Sequence, residues 1–219
     1  MEKAPASTPQ RILDAAEALF AEHSFDGVTT RDITSLAGVR LNLLSYHFGS
    51  KQKLFEQVID RRLETVVQRR EQILATLRGS GQAPTVRAIL KAFIQPYYEL
   101  AATGGPGWLK YARLLSRTSQ SERHYNVLDD YMSRTLDGFL DALHEALPEA
   151  SNASIRSGFY YATTLLMASF TGMVRVKELA VSAEADTIAG PGYTPLILFA
   201  EAGMLALALP DQANADQEI

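Results

Sequence analysis

The sequence predicts an all-α fold of about nine helices, and three observations predict it. Apolar residues recur at three- and four-residue spacing along nearly the whole chain, which is the signature of helices that bury one face. No segment alternates apolar and polar residues for long enough to suggest a strand. Glycine and proline gather between the periodic stretches rather than inside them.

The first helix is expected from about Thr8 to His23, with Thr8 as its cap and Pro9 where a helix start tolerates proline. Ile12, Leu13, Ala16, Leu19 and Phe20 form its buried stripe. The second is expected after Thr29, whose hydroxyl can accept from the first-turn amides while Asp32 answers it and offsets the helix dipole. Ile33, Leu36 and Ala37 are its inward positions. Gly38 ends it, because glycine accepts the left-handed backbone of a helix-ending turn.

The third helix runs from about Arg40 to His47, anchored inward by Val39, Leu44 and Phe48. It leaves Arg40, Leu41, Asn42, Leu43, Ser45, Tyr46 and His47 pointing outward. Two short helices joined at a tight turn, with polar and aromatic residues that no core requires, have the form of a helix-turn-helix. Leucines on such a face can meet thymine methyl groups in a major groove, and the polar side chains can reach base edges or phosphates. Gly49-Ser50-Lys51 restarts a helix at once, setting its amides, its dipole and a lysine beside the same face. Thr30, at the start of the second helix, belongs to this group.

From Lys51 to about Arg78 the pattern is one long helix, with Leu54, Phe55, Val58, Ile59, Leu63, Val66, Val67, Ile73, Leu74 and Leu77 inward. It is expected to be the sole covalent and mechanical bridge between the first three helices and the rest. Gly79-Ser80-Gly81 and Pro84 break the chain. Further helices are expected at about Thr85 to Ala102, Pro106 to Thr118, Ser121 to Ala146, Ser151 to Ala180 and Tyr193 to Leu209.

Residues 157 to 174 carry no charge, yet their serines, threonines and glycines make the run too polar for a membrane span. Such a helix is better buried on both sides. With the last helix it supplies a candidate dimer interface of Phe159, Leu166, Met173, Leu196, Ala200, Gly203, Met204 and Leu207. An aromatic group that includes Phe93, Tyr97, Trp108, Tyr111, Tyr161 and Phe170 is suggestive of pocket lining as a set, although each residue alone is better explained by a bundle core. Arg113 is a candidate to meet a ligand carboxylate, or else part of a solvated face.

The chain of 219 residues is 47% apolar, enough for a substantial core, and contains no cysteine. Thiolate chemistry and disulfides are thereby excluded. The four histidines are scattered, no glycine-rich phosphate loop or nucleophile elbow is present, and neither an enzyme nor a cofactor is expected. The opening residues lead into no hydrophobic segment, so a secretory signal is not expected and the cytoplasm is. Lys and Arg balance Asp and Glu over residues 1 to 62, so the formal charge of −4 belongs to the remainder. Arg31, Arg40, Lys51 and Lys53 nonetheless cluster at the proposed DNA face.

The segment from Ile12 to Leu63 resembles the DNA-binding domain of TetR-type, tetracycline-repressor-like, transcriptional regulators. The matching residues are Ile12-Leu13-Asp14-Ala15-Ala16 with Leu19-Phe20, Phe25 to Ile33, Ala37-Gly38-Val39, and Tyr46-His47-Phe48-Gly49-Ser50-Lys51 with Leu54-Phe55. Asn42 stands where many members have glycine, and Leu43 where a polar residue is common. The resemblance implies a DNA-binding head at 8–55 and a helical ligand-binding and dimerisation domain at 56–209; by composition the tails at 1–7 and 210–219 are expected to be disordered. It also implies a homodimer on a palindromic double-stranded DNA operator, and a small apolar or amphipathic inducer held among the later helices.

Overall fold

The computed structural model describes residues 6–105, 107–121, 126–171 and 192–209, with side chains excepted at 126–134 and 171. Among the described residues the chain is all helix. The helices are α1 (Thr8–His23), α2 (Thr30–Ala37), α3 (Leu41–Phe48), α4 (Lys51–Arg78), α5 (Val86–Thr103), α6 (Trp108–Thr118), α7 (Asn126–Ala146), α8 (Asn152–Thr171) and α9 (Tyr193–Leu207). The expected extension of the eighth helix beyond 171 and the last ten residues lie outside the described residues.

Local chemistry sets most of the boundaries. Ser7 caps α1, one residue earlier than expected, and its amide donates to Gln10 Oε1 at 3.1 Å. At α2 the Asp32 amide donates to Thr29 Oγ1 at 3.2 Å while the Thr29 amide donates to Asp32 Oδ2 at 2.8 Å, a reciprocal capping box. Thr85 caps α5 through the Ala88 amide at 3.2 Å. The 28 residues of α4 make a rod roughly 40 Å long.

The first three helices and the start of α4 close over one core. Ile12, Phe20, Ile33, Leu44, Leu54 and Phe55 are buried within it. Phe20, Phe25 and Phe55 pack as a trio with ring centroids 5.0 to 5.8 Å apart. Leu36 is the exception to the expected stripe, since it is 58% exposed. An eight-residue helix presents only two turns to the core, and Ile33 and Ala37 fill both.

In the remaining helices α5 packs between α4 and α9, α7 leans on α4, and α8 packs on α6 and α9. Phe93 of α5 is the hinge of this core, meeting Phe139 and Phe159 at 5.3 and 4.7 Å between centroids. The two parts share one continuous hydrophobic cluster.

Candidate functional site

The turn between α2 and α3 is built on Gly38, at φ 62° and ψ 40°. Its left-handed backbone lets the Val39 amide return to the Thr34 carbonyl at 3.0 Å. Arg11 of α1 then covers the helix end, Nη2 donating to the Ala37 carbonyl at 2.6 Å and to the Gly38 carbonyl at 3.1 Å. A cation at this end also opposes the helix dipole. A Cβ on residue 38 would lie 2.8 Å from that nitrogen, so any other residue would displace the Arg11 tip, while the left-handed backbone angle is what calls for glycine.

Leu44 and Phe48 fix α3 to the core, and its opposite side is open. Arg40, Leu41, Asn42, Ser45, Tyr46 and His47 are exposed, Tyr46 at 81%. Leu43 and Thr30 are half-buried at the edges of this face. The Tyr46 and His47 rings stand edge to face with centroids 5.0 Å apart. Of the α3 residues expected to point outward, all but Leu43 are exposed.

Lys51 serves the scaffold as well. Its Nζ donates to the Val28 carbonyl at 2.6 Å and lies 4.2 Å from the centre of the Phe25 ring, tying the start of α4 to the loop before α2. Ser50 caps α4 by accepting from the Lys53 amide at 3.1 Å. Burial is absent around Asp32, and hydrogen bonds from Thr29, side chain first, hold its carboxyl below the usual range.

The head is gripped from two sides, so α4 is not the sole mechanical bridge. Glu17 of α1 accepts from Arg62 Nε and Nη2 of α4 at 2.7 and 2.9 Å. Trp108, the first residue of α6, packs its ring 5.0 Å from the Arg62 guanidinium. At the other end of α6, Arg117 Nη1 donates to the Glu22 carbonyl at 2.6 Å, and midway the Tyr111 hydroxyl donates to the Ile59 carbonyl at 2.6 Å. Gly107, at φ 92°, precedes α6, and a Cβ there would meet Arg62 Nη2 at 2.5 Å and Glu17 Oε1 at 2.6 Å.

Between α4 and the later helices lies a cavity of about 860 Å³. Leu63, Val67 and Arg70 of α4 line it, with Tyr97, Leu115 and Ser119 from α5, α6 and the end of α6, and the α7 and α8 residues Leu140, Phe159 and Tyr161 opposite. Of the residues expected to bind a ligand, Tyr97 and Tyr161 line this cavity. Phe93, Tyr111 and Phe170 are core residues, Trp108 belongs to the seam with the head, and Arg113 is exposed. The aromatics were legible as a set because they pack together, but only part of that packed group, Tyr97 with Phe159, also reaches the cavity wall.

Arg70 was missed. It occupies the register of the apolar stripe that Leu63, Val66, Val67 and Leu74 define, and that position was the signal available. Glu17 was missed for the same reason, sitting on the stripe of α1 beside Ala16 and Phe20.

The expected dimer residues need a correction in phase. Phe159 and Leu166 are buried inside the protomer, as are Leu196, Ala200 and Met204, which face α5 and α8. Gly203 and Leu207 are exposed, and Met173 lies outside the described residues. The open side of α9 is instead Leu198, Phe199, Ala202, Gly203, Leu205 and Ala206, with Phe199 at 69% exposure. A helix that is apolar on nearly every side gives no sequence clue to which stripe faces its own domain. Among the described residues no group of histidine, aspartate and glutamate side chains could hold a metal, and no helix is long and apolar enough to cross a membrane.

Two family models match the chain: bacterial regulatory proteins of the tetR family over residues 12–58, and the tetracyclin repressor-like C-terminal domain over residues 91–203, more than half of its length. The chain belongs to the TetR family. Members of the family are transcriptional regulators, not enzymes.

The HTH-type transcriptional repressor KstR2 of Mycolicibacterium smegmatis is 36% identical over 72 residues, 33% of this chain and 35% of that protein. The repressor AcnR of Corynebacterium efficiens is 39% identical over 51 residues, 23% of this chain and 27% of that one. The chain therefore matches only about a third of the length of these relatives. Among solved structures, a transcriptional regulator from Pseudomonas aeruginosa PAO1 superposes with a TM-score of 0.59 at 20% identity, covering 91% of this chain and 89% of that one. The fatty acid degradation regulator FadR from Bacillus halodurans gives 0.54 at 17% identity, covering 96% and 99%. These two likenesses concern the TetR fold.

Proposed function

We propose that the protein is a ligand-responsive homodimeric repressor that reads a palindromic operator with α3 and is released by a small apolar or amphipathic inducer. The observation that carries this reading is the open face of α3, where six exposed residues including Arg40, Asn42, Tyr46 and His47 stand on a helix otherwise fixed by Leu44 and Phe48. The head would comprise residues 8–55 and the ligand-binding and dimerisation part residues 56–209. A DNA-bound regulator of this kind works in the cytoplasm.

A dimer would form through the open side of α9, where Phe199 is 69% exposed, with α8 beside it. Two-fold symmetry would set the two α3 helices against half-sites about one or more helical turns apart. The connection to the cavity runs through α6. Leu115 and Ser119 contribute to the cavity wall, while at the two ends of α6 Trp108 packs on Arg62 of α4, the partner of Glu17 in α1, and Arg117 donates to the Glu22 carbonyl of α1. A molecule that swells the cavity displaces α6 and, with it, the angle of the head. To move the population from 1:99 to 99:1 it must prefer the released arrangement by roughly ten-thousand-fold.

Gel shift on the DNA immediately upstream of the protein's own gene tests the reading. A retarded band that fades steeply with salt is expected, because phosphate contacts release counterions. No shift at any salt concentration would sink it.

A further inference from the structure

The strongest unexplained group in the molecule is Arg70. It is 4% exposed and forms part of the cavity wall. Its Nε donates to the Phe93 carbonyl at 2.7 Å, and its guanidinium lies 3.6 Å from the centre of the Phe93 ring. Its Nη2 is buried without a hydrogen-bond partner. No carboxylate forms an ion pair with it among the described residues; the cavity's own acid, Asp137, is exposed.

A buried cation without a counter-charge is unfavourable, and an orphaned donor adds to the cost. Burial pushes the Arg70 guanidinium down to about 10, which leaves it charged at neutral pH. Tyr97 beside it supplies no anion, since burial raises its phenol and its hydroxyl donates to the Ala112 carbonyl at 3.1 Å. The surrounding wall of Leu63, Val67, Leu115, Leu140 and Phe159 is apolar. Among the described residues nothing in the cavity wall pairs with this charge, so a bound anion would supply its partner.

We infer that the cavity takes a molecule with an apolar body and a single oxyanion head group, and that the head pairs with Arg70. This rests on the reading of the cavity as the inducer site and names the chemical class of its occupant. One guanidinium amino group with an unfilled donor suits one carboxylate or one phosphate oxygen, at the charge-assisted hydrogen-bond distance.

Two dyes with nearly the same apolar body test it on the full-length protein: anilinonaphthalene sulfonate, which is an anion, and phenylnaphthylamine, which is neutral. Wild type should bind the anionic dye at least about tenfold more tightly. R70M should lose that preference while holding the neutral dye within about twofold, and R70K should keep part of it. Ligand-free R70M should melt no lower than wild type, because it buries no charge. Decanoate and decyl phosphate, competed against the dye, tell a carboxylate head from a phosphate, and displacement by neither would overturn the inference. So would an unchanged dye preference in R70M, or an R70M that fails to fold, which would make Arg70 part of the scaffold. If neither dye binds wild type, the cavity reading itself falls and the inference with it.

Discussion

Glu17 and Arg62 lock the first helix to the long fourth one through two parallel hydrogen bonds of 2.7 and 2.9 Å, with side-chain exposures of only 5% and 15%. The pair closes beneath the Trp108 ring, so one buried contact joins the DNA-binding head to two helices of the body. Breaking one side of it is more damaging than removing both, because a lone buried carboxylate keeps its desolvation cost. R62M is expected to lower the unfolding free energy by about 3 kcal/mol, and the E17Q/R62M double variant to recover at least half of that loss. Urea unfolding followed by circular dichroism checks both.

Tyr46 touches no core, and Y46A should leave the fold intact, with a melting midpoint within about 2 °C of wild type. Its loss from the groove-facing surface should weaken DNA binding about ten- to hundredfold. Gel-shift titration at fixed salt reads the change, and an unaltered affinity would remove Tyr46 from the contact surface.

G38A strains a left-handed residue and pushes its new methyl against Arg11, which now caps α2. A loss of about 1–2 kcal/mol is expected, together with weaker DNA binding because α3 loses its fixed angle. Differential scanning calorimetry and the gel shift measure the two effects, and a variant that melts like wild type would deny the turn its glycine requirement.

F199E places a charge on the open side of α9. The variant should keep its helical content and sediment at half the wild-type mass in analytical ultracentrifugation. A dimer that persists would move the interface elsewhere.

Asp32 is held below the ordinary carboxylate range by Thr29, so it favours the folded state in its ionised form. Its contribution to the α2 cap is complete above the unfolded carboxylate value of about 4 and is lost as the pH falls through the lower folded value. The Thr29 amide resonance should report this titration, and the acid step at Thr29 should vanish in D32N.

The head was legible because its signals are local. Thr29 with Asp32, Gly38 after Ala37 and Ser50 before Lys51 each fix a boundary within a few residues, and the outward face of α3 follows from Leu44 and Phe48 alone. The body was less so. Gln68-Arg69-Arg70-Glu71 has the composition of a solvated turn of helix, and only its register with Val66, Val67 and Leu74 places Arg70 indoors. Likewise α9 carries Glu201 as its only charge, so residue type could not tell Ala200, which packs inward, from Phe199, which does not. Such distinctions depend on which helix lies across the way, and that partner comes from distant sequence.

Gly107 carries a practical consequence for anyone who wishes to rewire this regulator. A transplanted head must bring an acid at position 17 to a recipient that offers both the arginine and a residue without a side chain at the entrance to α6. Chimeras made by cutting after the third helix without matching those three positions will join two sound halves that lack the buried contact between them.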